Sequence, residues 1–168
     1  MLDDYNEFQK SYKDESDRSV VILAGSFIEM TLEKYLRMKL VDSESVAQLF
    51  SGYAPLATFS AKIEVGFALG LLPVHVYQDL KVVKKLRNIF AHEVEPWNFD
   101  SQRVGDICAN FNKIKRTDGS SWELTSAREK FLSAVFFSLL HIDTESKRIS
   151  RLVVPKFRFV EDVEDSGD

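Results

Sequence analysis

The chain has 168 residues, enough for one domain with a real core, and 45% of them are hydrophobic, including 13 Phe. Only 7 Gly and 4 Pro are present, which excludes the turn-rich punctuation of sandwiches and barrels and points to helices with short connections. The formal charge is −4, but the last eight residues, EDVEDSGD, hold five acids and no base, and the remainder stands at +1, so no global basic field is available to recruit DNA.

In chain order, Leu2, Tyr5, Phe8 and Tyr12 recur at spacings of three and four, which predicts an amphipathic helix within residues 2–15. Asp17 is placed to cap the next one, RSVVILAGSFIEMTLEKYLRMKL. Only Ser26, Glu33 and Arg37 give that helix a consistent polar edge, the pattern of a helix central in its domain. A short helix follows, capped by Ser43 and stopped by Gly52. Thr58 then caps a helix with Phe59, Ile63 and Phe67 on one face and Gly70 near its end. Within it, Gly66 and Gly70 suit close packing rather than phosphate binding.

Pro73 suits the first turn of the helix that carries LKVVKKLRNIFAH. EVEPWNF reads as a loop, with Trp97 and Phe99 covering helix ends or meeting a partner. Val104, Ile107, Cys108 and Phe111 mark another helix, and RTDGSS a turn. Ser126 and Glu129 form a capping-box pattern before the last long helix, KFLSAVFFSLLHI. After Asp143 the character changes. Residues 143–160 hold five bases against two acids, and RLVVPKFRFV reads as extended chain or an edge strand. The expected architecture is all-α: one helical-bundle domain of about six or seven helices over 1–142, then a C-terminal extension over 143–168 ending in an acidic, solubilising tail.

The residue that breaks the pattern is Arg87. With Leu80 at zero on a helical wheel, Val83 falls at about −60°, Phe90 at about −80° and Arg87 at about −20°. A cation that cannot lose its proton is thus centred on an apolar stripe, where an unpaired guanidinium costs several kcal/mol. Glu29 shares a direction with Ile22, Leu36 and Leu40, and Lys62 with Val65 and Leu69. Glu29, Lys62 and Arg87 are therefore expected to form one buried polar network that fixes helix register. The alternative is an anion or RNA-phosphate site. His92 either caps the end of its helix or joins Arg87 in chemistry: a histidine can take a ribose 2′-hydroxyl proton while an arginine stabilises the pentacovalent phosphate. His75 and His141 have no comparable company.

Other chemistry is poorly served. The single cysteine, Cys108, excludes an internal disulfide framework and argues against cysteine-ligated zinc. No glycine-rich phosphate loop or His/Cys cluster is present, so no metal or cofactor is expected. Asp3 and Asp4 leave no basic n-region for a signal peptide, and no apolar run reaches about 18 residues, so a cytoplasmic protein free of membranes is expected.

RNIFAH fits the Arg-polar-x3-His pattern of Arg87, Asn88 and His92 and so resembles the HEPN superfamily of helical domains. Many HEPN members are metal-independent ribonucleases that pair two motifs in a dimer. FIEMTLEKYL, LFSGYAPLATFSAKIEVGFALGLLP and YQDLKVVKKLRNIFAH together resemble the mannitol operon repressor (MtlR) family over residues 17–115. That resemblance implies a non-catalytic, all-helical regulator that acts through protein partners rather than a DNA-reading helix. A homodimer is compatible with it, and RNA enters only if Arg87, Asn88 and His92 are catalytic. The ends of the chain, 143–168, depart from the pattern. A third reading, left open by the resemblance, is an immunity or inhibitor protein whose acidic surface masks a toxin.

Overall fold

The computed structural model describes residues 2–114, 119 and 121–155, residues 2–5 by backbone alone. Seven helices and no strand occur among them: α1 (Leu2–Ser11), α2 (Asp17–Lys39), α3 (Glu44–Gln48), α4 (Phe59–Ala68), α5 (Val74–His92), α6 (Gln102–Cys108) and α7 (Ala127–Ser146). The chain is the all-α bundle its composition points to.

Local chemistry sets the helix starts. The hydroxyls of Ser43 and Thr58 accept the N–H groups of Val46 and Ala61, and Ser126 with Glu129 closes a reciprocal capping box on α7. At α2 the cap is Ser16, whose Oγ accepts from the Ser19 N–H at 3.1 Å, and not Asp17. The Asp17 carboxylate is drawn away by stronger partners. It pairs with Arg128 of α7 and accepts the Phe99 N–H at 2.8 Å. Arg128 also donates to the carbonyls of Tyr12, at 2.6 Å, and Glu15, at 3.1 Å, so one guanidinium clamps the α1–α2 junction onto α7.

Helices α2, α5 and α7 pack on one another. Helix α4 lies against α2 and α5, α6 against α5 and α7, and α1 against α7. The seam is made of Ile28, Leu32 and Leu36 from α2, Leu80, Val83, Leu86 and Phe90 from α5, and Phe131 and Val135 from α7, all fully buried. Each such side chain contributes about 1.5–3 kcal/mol by leaving water. Phe99 is buried and Trp97 half-buried, so the EVEPWNF loop folds back onto the core. His141 lies within α7, its Nε2 3.1 Å from the Leu71 carbonyl, and so pins the α4–α5 turn to α7.

Three sequence expectations shift. Helix α2 is a seam helix but not a covered one, since Leu23, Phe27, Met30 and Met38 remain 40–53% exposed. Phe67 leaves the buried face of α4 to stack on Tyr77, with ring centroids 4.3 Å apart. Gly66 does pack closely, against Leu72. Gly70 instead lies beyond the end of α4 with φ +69, and a Cβ there would meet nothing within 4 Å, so it serves the turn rather than packing.

Helix α7 continues through Ser146. Residues 151–155 form no strand. The Leu152 N–H bonds the Lys39 carbonyl at 2.7 Å and Arg151 pairs with Asp42 at 2.8 Å, which lays the segment across the end of α2. The rest of the extension, the acidic tail and most of the RTDGSS turn lie outside the described residues. No helix among the described residues is long and apolar enough to cross a membrane.

Candidate functional site: a charge network across three helices

Glu29 of α2 meets both cations. Its Oε1 lies 3.0 Å from Lys62 Nζ of α4 and its Oε2 2.8 Å from Arg87 Nη1 of α5. Lys62 Nζ also reaches Glu33 Oε2 at 2.9 Å, and Glu33 Oε1 reaches Arg37 Nη2 at 2.9 Å. Charges thus alternate along Arg87, Glu29, Lys62, Glu33 and Arg37, which ties α2 to α4 and α5. The Arg37 guanidinium ends the row over the Phe50 ring, 4.2 Å from its centroid. Burial opposes the ionisation of Glu33, but hydrogen bonds from Lys62 and Arg37 outweigh it and hold the carboxyl below its usual 4.5. A compact alternating row of this kind is satisfied from within.

Arg87 lies on the flank of the buried stripe rather than its centre, with 30% of its side chain exposed. The wheel explains the offset. Asp79 and Leu86 are also buried, and they fall at about −100° and −120°, so the stripe centres well away from Arg87 at about −20°. Gly25 admits the arginine stem: a Cβ there would stand 3.1 Å from Arg87 Cδ.

Asn88 and His92 are exposed, and neither makes a side-chain hydrogen bond among the described residues. His92 does not cap α5. The Glu93 N–H returns to the Ile89 carbonyl at 3.0 Å, and Arg18 of α2 takes the Glu93 carbonyl at 2.7 Å. Five residues on a helix turn the chain by about 140°, so Arg87 and His92 diverge around the axis. Among the described residues no group of His, Cys, Asp and Glu could hold a metal ion. Burial pushes the Cys108 thiol up to about 12, so it is no nucleophile at neutral pH.

Sequence reasoning passed over Glu33 and Arg37 as a solvated edge. Their signal was the four-residue spacing of 29, 33 and 37, which stacks three charges along one side of α2. It also passed over Asp79, which is 8% exposed and accepts the Asn112 N–H and Nδ2–H, both at 2.9 Å. Burial raises its pKa above 3.8, against the lowering effect of Asn112 and of the nearby His75. A raised carboxyl contributes stability below its unfolded pKa, and that contribution is lost as pH rises through the folded value. Asp79→Asn keeps the carbonyl acceptor and removes the buried charge. It should raise the melting temperature at pH 7, with the gain shrinking as pH falls towards 3.8. A lower melting temperature at pH 7 would show that the ionised carboxylate is needed.

The family model for the mannitol repressor matches residues 18–153, most of the chain. The chain belongs to this family. The match takes in the basic stretch up to 153, so the family pattern reaches well past residue 115, where the resemblance read from the sequence ends, and only residues beyond 153 depart from it at that end. No curated protein matches the chain. Among solved structures the chain is similar to YggD from Shigella flexneri 2a strain 2457T, described as a possible transcriptional regulator. The TM-score is 0.54 at 16% identity, over 87% of this chain and 96% of that one, a likeness of fold.

Proposed function

We propose that this mannitol-repressor-family protein regulates gene expression by binding protein rather than by reading DNA itself. The observation that carries this reading is the uncovered face of α2. Leu23, Phe27, Met30 and Met38 fall within about 80° of arc and stand exposed along the helix. The charges of Glu29, Glu33 and Arg37 run along one side of this ridge, giving an apolar strip with a polar border, the anatomy of a contact surface. A ribonuclease reading rests on Arg87, Asn88 and His92. It has less support, because Glu29 already engages the guanidinium and His92 turns away from it.

The test is regulatory. Transcripts that change when the gene is deleted should be restored by the wild-type chain and not by Phe27→Glu, whose half-exposed position leaves its melting temperature within about 2 °C of wild type. Purified wild-type protein should not retard the promoters of those transcripts. Full restoration by Phe27→Glu, or tight and specific promoter binding by the protein alone, would remove the reading.

A further inference from the structure

On the side of α5 away from its buried stripe, a groove of about 730 Å³ runs between α5 and α6. Its walls are basic. Lys81, Lys84 and Lys85 descend from α5, and Arg103 faces them from α6. Two acids lie close by, and both are engaged. Glu93 takes Arg103 in a two-pronged pair, at 2.7 and 3.0 Å, together with the Trp97 indole N–H at 2.9 Å. Glu64 lies 3.6 Å from Lys81 and accepts the Tyr77 hydroxyl at 2.8 Å. Lys84 donates only to the neutral Ser60 hydroxyl, at 3.2 Å, and Lys85 has no side-chain partner among the described residues. The groove therefore keeps an excess of positive charge on a chain whose net charge is −4.

The floor is apolar. Ile89 and Ile107 form its nearly buried base, and the exposed Asn88 beside it makes no side-chain hydrogen bond among the described residues. Among the described residues no aromatic ring lines the groove. Two rings touch its lining residues, and both are engaged: Trp97 lies under the Arg103 guanidinium, 5.0 Å from the ring centroid, and Tyr77 stacks on Phe67 with Lys81 Nζ 4.8 Å from its centroid. Single-stranded nucleic acid is held by basic grooves that also offer rings for bases to stack on. A groove with lysines above an isoleucine floor matches a different occupant: a polypeptide segment with carboxylates along one edge and an aliphatic side chain between them.

We infer that the α5–α6 groove is a docking site for an acidic, leucine-bearing segment of a partner protein. Its carboxylates meet Lys81, Lys84 and Lys85 while its aliphatic side chain rests on Ile89 and Ile107. The inference rests on the protein-binding reading only for the class of partner, and it concerns a surface separate from the α2 ridge.

The test uses the full chain and a fluorescein-labelled peptide of repeating Glu-Asp-Leu units, followed by fluorescence polarisation. Saturable binding is expected, weakening as salt screens the lysines. Lys81→Glu/Lys85→Glu should weaken it about tenfold or more, since each reversal removes an attraction and adds a repulsion. Lys85→Glu alone should give a smaller loss. It touches no partner and so guards against a folding artefact. Replacing leucine by serine in the peptide should also weaken binding. Phe27→Glu should bind the peptide as wild type does, even though it fails the regulatory test, so the two readings can fail separately. Absence of binding at low salt, or equal binding by the double variant, would overturn the inference. So would labelled polyuridine binding more tightly than the peptide and losing affinity in the same variant, which would make the groove a nucleic-acid site.

Discussion

Phe131→Ala should cost about 3–5 kcal/mol of stability, read from the midpoint of urea unfolding at unchanged slope. Phe131 is fully buried and is the joint of an aromatic row. Its ring centroid lies 5.7 Å from that of Phe99 and 6.4 Å from that of Phe111, and Phe99 in turn lies 6.0 Å from Phe90. The row joins α7 to α5 and to the two segments that flank α6. Truncation removes the area term and leaves a cavity that four surrounding elements cannot collapse into together. The loss should also loosen the loop that follows Glu93 at the α5–α6 groove. Phe67→Ala is the contrast. That ring is 40% exposed and stacks on Tyr77 at the surface, so its loss should stay near about 1 kcal/mol. Equal costs for the two would mean that the aromatic row is not where the core is concentrated.

Much of this fold is legible because its signals are local. Ser43, Thr58, Ser126 and Glu129 announce helix starts through hydrogen bonds made within one turn, and the structure forms all of them. Asp17 shows where such signals stop. Its residue type fits a cap, but Arg128 lies 111 residues away in sequence and offers a charge-assisted pair that a backbone N–H cannot match. The ridge on α2 was hidden for a similar reason. Leu23, Phe27, Met30 and Met38 look like core in a hydrophobicity pattern, and only the placement of α4, α5 and α7 on the other sides reveals them as surface. Arg87 falls between these cases. Periodicity marks it as misplaced, and the existence of an anionic partner follows from desolvation alone. Its position on the flank required knowing that Asp79 is buried, and a lone Asp in a sequence reads as solvent-facing. The groove between α5 and α6 was not legible. Three lysines on α5 look like a solvated face until α6 supplies Arg103 and the isoleucine floor.

The charge network makes the second large prediction, and it is asymmetric. Glu29→Gln should cost about 2–3 kcal/mol, whereas Lys62→Met should cost about 1 kcal/mol or less. Glu29 serves two cations, so its neutralisation strands one and leaves the other with a single acid. Arg87 loses the only acid it meets among the described residues, and Lys62, 6% exposed, keeps Glu33 alone. The usual cost of breaking a buried pair, about 3–5 kcal/mol, is discounted here because Arg87 is 30% exposed and water can take over part of its solvation. Removing Lys62 strands nothing comparable. Glu29 keeps Arg87, Glu33 keeps Arg37, and methionine fills the stem's volume without a charge to desolvate. In an Arg87→Met background, Glu29→Gln should cost about 1 kcal/mol less than it does alone, which is the coupling of the pair. Acid should act through Glu33. Its lowered pKa contributes stability that is present above 4.5 and is lost as pH falls through the folded value, so Lys62→Met should flatten the acid limb of the stability curve. Equal costs for Glu29→Gln and Lys62→Met would mean that Arg87 does not depend on Glu29. The guanidinium would then be free for an anion, and the ribonuclease reading of Arg87 and His92 would regain its claim.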